Sequence, residues 1–344
     1  MQTDREKVEE GLLMDRSVPW SGPVRVPPDG KAPAMRNWPE RVPGADAFVD
    51  RVPLVMQKLD GLRDRRGYAS FGTARPSPAA QRRLMREIRK LEKGGHKVSL
   101  AMADLAHMSG LGYRSELTMC TQSTIKAVYC GALLDMHPGA FQENGQYIHD
   151  AVVYSENEPY HLLRAIYGDA PMLRWCRDAG VRDSYAHSLY PRDGNVREML
   201  KLWGRLYRFL NGGQDRNRYG ACLADTSASA ARKQLGGRFA VQSKAGWEMG
   251  LDESRNYDPH AEIPPEYRDG DPSNDECAIN DTGIVYTDAG PYLFAVFTDH
   301  PFGIFRDYAT PNPLYGLTEA ILGVQQSLTG GEGQGRDDSH HRMR

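Results

Sequence analysis

A chain of 344 residues, 40% of them hydrophobic, is long enough to bury one large core or two lobes that share a cleft, and its composition is neither fibrous nor disordered. Lysine and arginine number 43 against 45 aspartates and glutamates, a formal net charge of −2, so no global field favours nucleic acid or an anionic membrane. Partners therefore have to be argued from a site.

The opening MQTDREKVEEGLLMDRS is charged and lacks a basic start followed by an apolar core, and no apolar run approaches the roughly 20 residues of a membrane span. Five cysteines (Cys120, Cys130, Cys176, Cys222, Cys277) are odd in number, widely spaced and without a C-x-x-C pair, which fits reduced core thiols better than a disulfide framework or a zinc site. The expectation is a cytoplasmic protein as given, or an extracytoplasmic one if a leader was lost.

Residues 1 to about 50 scatter Pro19, Pro23, Pro27, Pro28, Pro33, Pro39 and Pro43 among charges with no apolar period, and 1–75 reads as a Pro-rich arm or linker. From Pro76, PSPAAQRRLMREIRKLEKGG offers a Ser77 cap, apolar residues at helical spacing and a Gly94-Gly95 stop, which predicts a helix. KVSLAMADL (97–105) then alternates, HMSGLGY turns and RSELTM leads toward Ser123, a hairpin-like pattern. STIKAVYCGALLDM (123–136) puts Ile125, Val128, Tyr129, Ala132 and Leu133 on one helical stripe that ends at Pro138-Gly139. The stretch from about 137 to 221 reads as mainly helical, with Trp175, Trp203 and the stripe Leu200, Leu206, Tyr207, Leu210 as core. RFAVQSKAGWE (238–248) and AINDTGIVYTDAGPYLFAVFTDHP (278–301) predict three antiparallel strands, the last two joined at Asp288-Ala289-Gly290. A final helix starts near Pro313, and the polar, Gly-rich 329–344 reads as a flexible tail.

Ser123-Thr124-Ile125-Lys126 sets a hydroxyl and an amine three residues apart, on one helical face and one turn from each other. A buried lysine with a depressed pKa is able to take the serine proton, and the helix N-terminus offers N–H groups and a dipole to a developing oxyanion. Alone the tetrad is common, and its ordinary reading is a serine cap beside a solvated lysine. Here the serine lies between a hairpin and an apolar helix, and a Lys-x-Gly strand follows later in the chain.

In that context the chain resembles the class A β-lactamases and their penicillin-binding-protein relatives, over about residues 85–328. The family pattern is S-x-x-K, then S-D-N or Y-x-N, then K-[ST]-G. The resemblance aligns these with Ser123–Lys126, Tyr167-Gly168-Asp169 and Lys244-Ala245-Gly246. The second frame is chosen because Tyr167 lies thirteen residues before Gly180, the spacing the family keeps between this motif and the glycine that ends its helix. A tyrosine there is similar to class C enzymes. The resemblance implies that Ser123 is the nucleophile, that Lys126 is its base, and that Tyr167 with Lys244 protonates the leaving nitrogen. It also implies that Asp169 stands for the motif's asparagine, that Gly246 lets substrate backbone approach, and that the Trp247 N–H joins that of Ser123 in holding the oxyanion.

Three departures bear on substrate. Ala245 lacks the hydroxyl that helps bind a substrate carboxylate, Asp169 adds negative charge, and the loop VRDSYAHSLYPRDGN (181–195) has no glutamate of the kind class A enzymes use to activate water. Asp183, His187, Asp193 and Glu198 are the titratable groups nearby. His340-His341 reads as part of the polar tail, and Arg82, Arg83, Arg86, Arg89 and Lys90 as the solvated face of the first helix.

The expected fold is α+β, three-layer and β-lactamase/transpeptidase-like: an antiparallel sheet flanked by terminal helices (76–122 and 222–328) with an inserted all-helical lobe (123–221). The expected activity is acylation of Ser123 by an amide or β-lactam carbonyl followed by hydrolysis. A DD-peptidase or acyltransferase acting on a peptide or specialised metabolite, and a noncatalytic binding protein that keeps the fold, are the alternatives. A monomer acting on a small-molecule or peptide amide is expected, with no cofactor, metal, nucleic acid or membrane span.

Overall fold

Six antiparallel strands form one sheet in the order β1-β3-β2-β6-β5-β4 in the computed structural model, which describes residues 42–65, 67–212, 217–248, 278–300 and 312–328. The strands are β1 (Tyr68–Phe71), β2 (Val98–Asp104), β3 (Ser109–Tyr113), β4 (Ala240–Glu248), β5 (Ala278–Thr287) and β6 (Gly290–Thr298). The helices are α1 (Arg51–Asp60), α2 (Pro78–Glu92), α3 (Ile125–Met136), α4 (Ala140–His149), α5 (Asn157–Tyr167), α6 (Ala170–Ala179), α7 (Ser184–His187), α8 (Val196–Asn211), α9 (Asn217–Ala224), α10 (Ala230–Leu235) and α11 (Leu314–Gln326). This is the α+β architecture expected from the sequence.

Both faces of the sheet are covered, so alternate residues of a strand enter different cores. In β6, Leu293, Ala295 and Phe297 pack with α1, α3 and α8, while Tyr292, Phe294 and Val296 pack with α2, α10 and α11. Every residue of β2 is buried for the same reason. α2 starts as the sequence predicts: Ser77 accepts the Ala80 N–H and Pro78 takes the first helical position, where its missing donor costs nothing. α3 is buried from Ile125 through Leu134 rather than along a single stripe, because α6 and α8 pack on it as well as the sheet-side core.

Two expectations are corrected. The arm read over 1–75 includes α1 and β1: Val52, Val55, Met56 and Leu59 are buried at helical spacing, and β1 pairs antiparallel with β3. Pro53 falls in the first turn of α1, where proline is compatible with a helix. The segment HMSGLGY, read as a turn, contains β3, and RSELTM beyond it contributes one bridge, between Met119 and Gly194. The proline-dense 1–41 and the tail 329–344, including His340-His341, lie outside the described residues.

If α1 is integral to the core, Leu59→Ala should destabilise the protein by about 2–5 kcal/mol in chemical denaturation, as a buried leucine truncation does. Leu54→Ala on the solvent side of the same helix should stay within roughly 0.5 kcal/mol of the parent. Equal effects would mean that α1 does not dock.

Candidate active site

Ser123 sits in a single 3-10 turn, Gln122–Thr124, that runs into α3. The turn is held from three sides. Thr121 donates its N–H to Pro191 O at 2.9 Å and the Thr124 hydroxyl donates to Thr121 O at 2.5 Å. The Asn280 amide on β5 donates to Cys120 O at 2.8 Å. Gln122 has φ +49°, a left-handed conformation that a non-glycine residue adopts only where its surroundings enforce it.

Gly246 meets this turn from β4. A Cβ there would lie 2.8 Å from the Ser123 backbone nitrogen, 2.9 Å from Gln122 Cβ and 2.9 Å from the Thr124 nitrogen. The glycine is thus required by the turn that carries Ser123, which presses directly onto β4.

Lys126 is fully buried one turn into α3. Its ammonium donates to Ser155 O at 2.6 Å, Glu156 O at 3.1 Å and Asn157 Oδ1 at 2.6 Å, and it faces the rings of Tyr160 and Tyr190 at 5.7 and 5.6 Å from their centroids. Burial pushes this amine well below the ordinary lysine range, and the charge of Lys244 adds to the effect. Lys244, on β4, is 2% exposed and donates to Ser155 Oγ at 2.7 Å and Ala245 O at 2.9 Å. Burial lowers its pKa to about 7, with Asp281 opposing the shift. Its ammonium lies 5.6 Å from the centre of the half-buried Trp247 ring.

The two lysines therefore meet at Ser155, one at its carbonyl and the other at its hydroxyl. Ser155 ends a π-helical turn, Asp150–Tyr154, with φ +64°, and Asn157 begins α5. Glu156, between them, is pushed above the usual carboxylate range by burial and by Asp150 and Glu158.

Tyr167 and Asp169 are not brought to this cluster. The Tyr167 hydroxyl accepts from Asn144 at 2.8 Å and donates to Glu143 at 3.4 Å. Asp169 accepts from Arg164 at 2.5 Å and His187 at 2.9 Å, and against the cost of burial these partners hold its carboxyl low. The reason is geometric. α5 begins at Asn157 beside Lys126 and ends at Tyr167, ten residues and about 15 Å further along its axis. The triplet found between the two lysines is Ser155-Glu156-Asn157, which is S-D-N with one carboxylate exchanged for another. The thirteen-residue count from Gly180 selects the end of this helix that lies away from the two lysines.

The other titratable residues near the loop are engaged elsewhere. Glu198 and Asp193 both pair with Arg182, at 2.7 and 3.2 Å, Asp193 also accepts from Ser184, and His187 pairs with Asp169. Asp183 precedes the short helix α7 and accepts the Ala186 N–H through its carbonyl. The loop sends Tyr190 toward Lys126 instead: its hydroxyl donates to Asn157 Oδ1 at 2.7 Å and lies 3.3 Å from His161 Nε2. Neither residue has a motif signature in the sequence. Among the described residues no group of three or more His, Cys, Asp or Glu is disposed to hold a metal, and no helix is long and apolar enough to cross a membrane.

A helix-borne serine and lysine set against a lysine on the edge of an antiparallel sheet define a β-lactamase-like serine hydrolase fold. A family model described as "Beta-lactamase enzyme family" matches residues 129–312, more than half of the sequence, and the chain belongs to that family. The matched region begins after Ser123 and Lys126. Among solved structures the protein is similar in fold to a β-lactamase from Xanthomonas campestris pv. campestris, with 15% identity, TM-score 0.51, and 71% of this chain and 98% of that one covered. It is also similar to the β-lactamase from Streptomyces albus G, with 17% identity, TM-score 0.50, and 73% and 100% covered. No curated protein matches the chain by sequence.

Gly246→Ala tests the close packing of the turn that carries Ser123. The added methyl should cost about 1–3 kcal/mol of stability, as overpacking does, and should slow labelling of Ser123 by a fluorophosphonate at a temperature where the variant is folded. Unchanged melting and labelling would show that the turn does not press on β4.

Proposed function

We propose that the protein is a serine hydrolase whose Ser123 is acylated by an amide or β-lactam carbonyl, with the acyl-enzyme then released by water. The observation that carries this reading is the convergence of two buried amines on Ser155. A structural lysine gains little from full burial beside a second cation, whereas a proton-transfer site needs amines that are easily neutralised.

In this reading neutral Lys126 takes the proton of Ser123 Oγ as it attacks the carbonyl carbon. The N–H groups of Ser123 and Trp247 hold the oxyanion. As the carbon–nitrogen bond breaks, the Ser155 hydroxyl gives its proton to the leaving nitrogen and is reprotonated by Lys244, whose lowered pKa of about 7 suits an acid working near neutrality. Ser155 thus takes the role first given to Tyr167. Asn157 holds Lys126 and is the motif residue closest to the asparagine the family uses for substrate amides.

Transfer of the acyl group to an amine, or turnover of a peptide, is favoured as a second reading by two features. Asp193 and Glu198 are held at Arg182, and Ala245 offers no hydroxyl to a substrate carboxylate.

The test is intact-protein mass after incubation with a fluorophosphonate, a penicillin and a chromogenic cephalosporin. A single adduct on the parent, absent from Ser123→Ala, is the expected result. Ser155→Ala should slow acylation by roughly 100-fold, within the range of general acid–base contributions, while Tyr167→Phe should match the parent. Cephalosporin turnover favours hydrolysis, and a persistent adduct released by added amines favours acyl transfer. No adduct from any probe overturns the proposal.

The same reaction has a pH signature. Because Lys126 acts as a base, labelling should rise with pH as its ammonium deprotonates and level off well below the pH of about 10.4 at which an ordinary lysine titrates. A midpoint near 10 would remove Lys126 from the base role.

A further inference from the structure

Lys126 is buried, its acceptors come from residues 155–157, and a loop brings the Tyr190 ring and hydroxyl beside them. The loop 181–195 is tied to the segment leading into Ser123 at two points: Met119 N–H to Gly194 O at 2.8 Å and Thr121 N–H to Pro191 O at 2.9 Å. Tyr190 is therefore fixed relative to the nucleophile turn. Its neighbour Leu189 is held as well, its carbonyl accepting the Tyr160 hydroxyl at 3.1 Å.

We infer that Tyr190 is a positioning residue for Lys126, acting through Asn157, so that the hydroxyl of this tyrosine sets how readily the lysine gives up its proton. Asn157 Oδ1 receives two donors, Lys126 Nζ at 2.6 Å and Tyr190 OH at 2.7 Å. The phenol proton is spent on Asn157, so the contact with His161 at 3.3 Å is made by the imidazole N–H donating to the phenol oxygen. That donation strengthens the phenol as a donor in turn.

Two consequences follow from sharing one oxygen. A flipped Asn157 amide would turn its NH2 against both donors, so the carbonyl orientation is fixed while both are present. The second donor also takes electron density that would otherwise stabilise the ammonium, so it favours the neutral amine needed at Ser123. The Tyr190 ring acts in the opposite sense: with Tyr160 it presents an aromatic face to the ammonium, which favours charge. Tyr190→Phe removes the first effect and keeps the second.

The other groups that bear on Lys126 leave this argument intact. Lys244 acts across Ser155 from β4, Cys130 is one turn further along α3, and Glu156 is on the approach to α5. Arg164 lies behind the Tyr160 ring at 6.0 Å and donates to its hydroxyl at 3.2 Å. None of these touches Asn157 Oδ1, so the phenylalanine variant leaves them in place.

The kinetic part of this inference rests on the proposed acylation of Ser123, so two readouts are needed. The first is the pH profile of fluorophosphonate labelling at Ser123 for the parent, Tyr190→Phe and Tyr167→Phe. The second is the 13Cε resonance of Lys126 in protein labelled at lysine, assigned with Lys126→Arg, which follows its titration whether or not Ser123 reacts. Tyr190→Phe should move the Lys126 midpoint up by roughly half to one pH unit, as loss of a competing hydrogen bond does. Labelling at pH 7 should fall about three- to tenfold and recover toward the parent at high pH, while Tyr167→Phe follows the parent throughout. An unmoved Lys126 resonance in Tyr190→Phe overturns the inference. A moved resonance in a protein that never labels leaves the positioning role standing and overturns the acylation reading instead.

Discussion

The constraint on which the site depends is the burial of two lysine amines that meet at one residue. Removing an ion from water costs several kcal/mol even after relaxation, and among the described residues neither Lys126 nor Lys244 has a carboxylate at ion-pair distance. Neutral dipoles supply the compensation: the carbonyls of Ser155, Glu156 and Ala245, the amide oxygen of Asn157 and the hydroxyl of Ser155. Such acceptors hold a cation without neutralising it. They also leave it free to lose its proton, since no partner charge is stranded when it does. An amine balanced in this way is suited to proton transfer near neutral pH, whereas one balanced by a carboxylate would stay charged.

Much of the surrounding architecture serves to deliver those dipoles. The left-handed Ser155 costs of order 1–3 kcal/mol, but it turns the chain from the π-helical turn into α5, so that two successive carbonyls and a side-chain amide face one point. On the opposite wall, Gly246 lets β4 approach the Ser123 backbone while Lys244, two residues earlier on the same strand, reaches Ser155. Asp281 on β5 ties this strand pair to the helix that packs on it. It lies opposite Ala245 in register and accepts from Ser229 and the Ala231 N–H at the start of α10.

What the sequence revealed follows from how local each signal is. Ser123 and Lys126 are legible because their relation is one helical turn, and Lys244 with Gly246 because alternation defines a strand. The triplet between the two lysines lies where a π-helical turn meets α5 and has no period, so only its letters announce it. One substitution, glutamate where the family pattern has aspartate, was enough to hide Ser155-Glu156-Asn157 behind a tyrosine ten residues further along α5. α1 was missed for a different reason. Val52, Val55, Met56 and Leu59 carry a helical period, but the prolines between 19 and 43 set the reading of the whole segment. Tyr190 could not have been found from sequence, because its role depends on a loop that is closed by backbone contacts.

The arginines explain why that loop brings a phenol rather than an acid to Lys126. Arg182 binds Glu198 and Asp193, and Arg164 binds Asp169 together with the carbonyls of Ala186 and Ser188. Arg197, from α8, binds Asp64, Glu116 and Leu62 O near the start of the segment that leads to Ser123. These acidic side chains are engaged in fixing the loop and its footing, and apart from Glu156 the surroundings of Lys126 are carbonyls, hydroxyls, amides and aromatic faces. Such groups orient an amine and tune its charge but do not readily remove a proton from water. In the proposed acylation of Ser123 such surroundings serve attack on the carbonyl more directly than hydrolysis, and the fate of the acyl group would rest on the access of water or an amine.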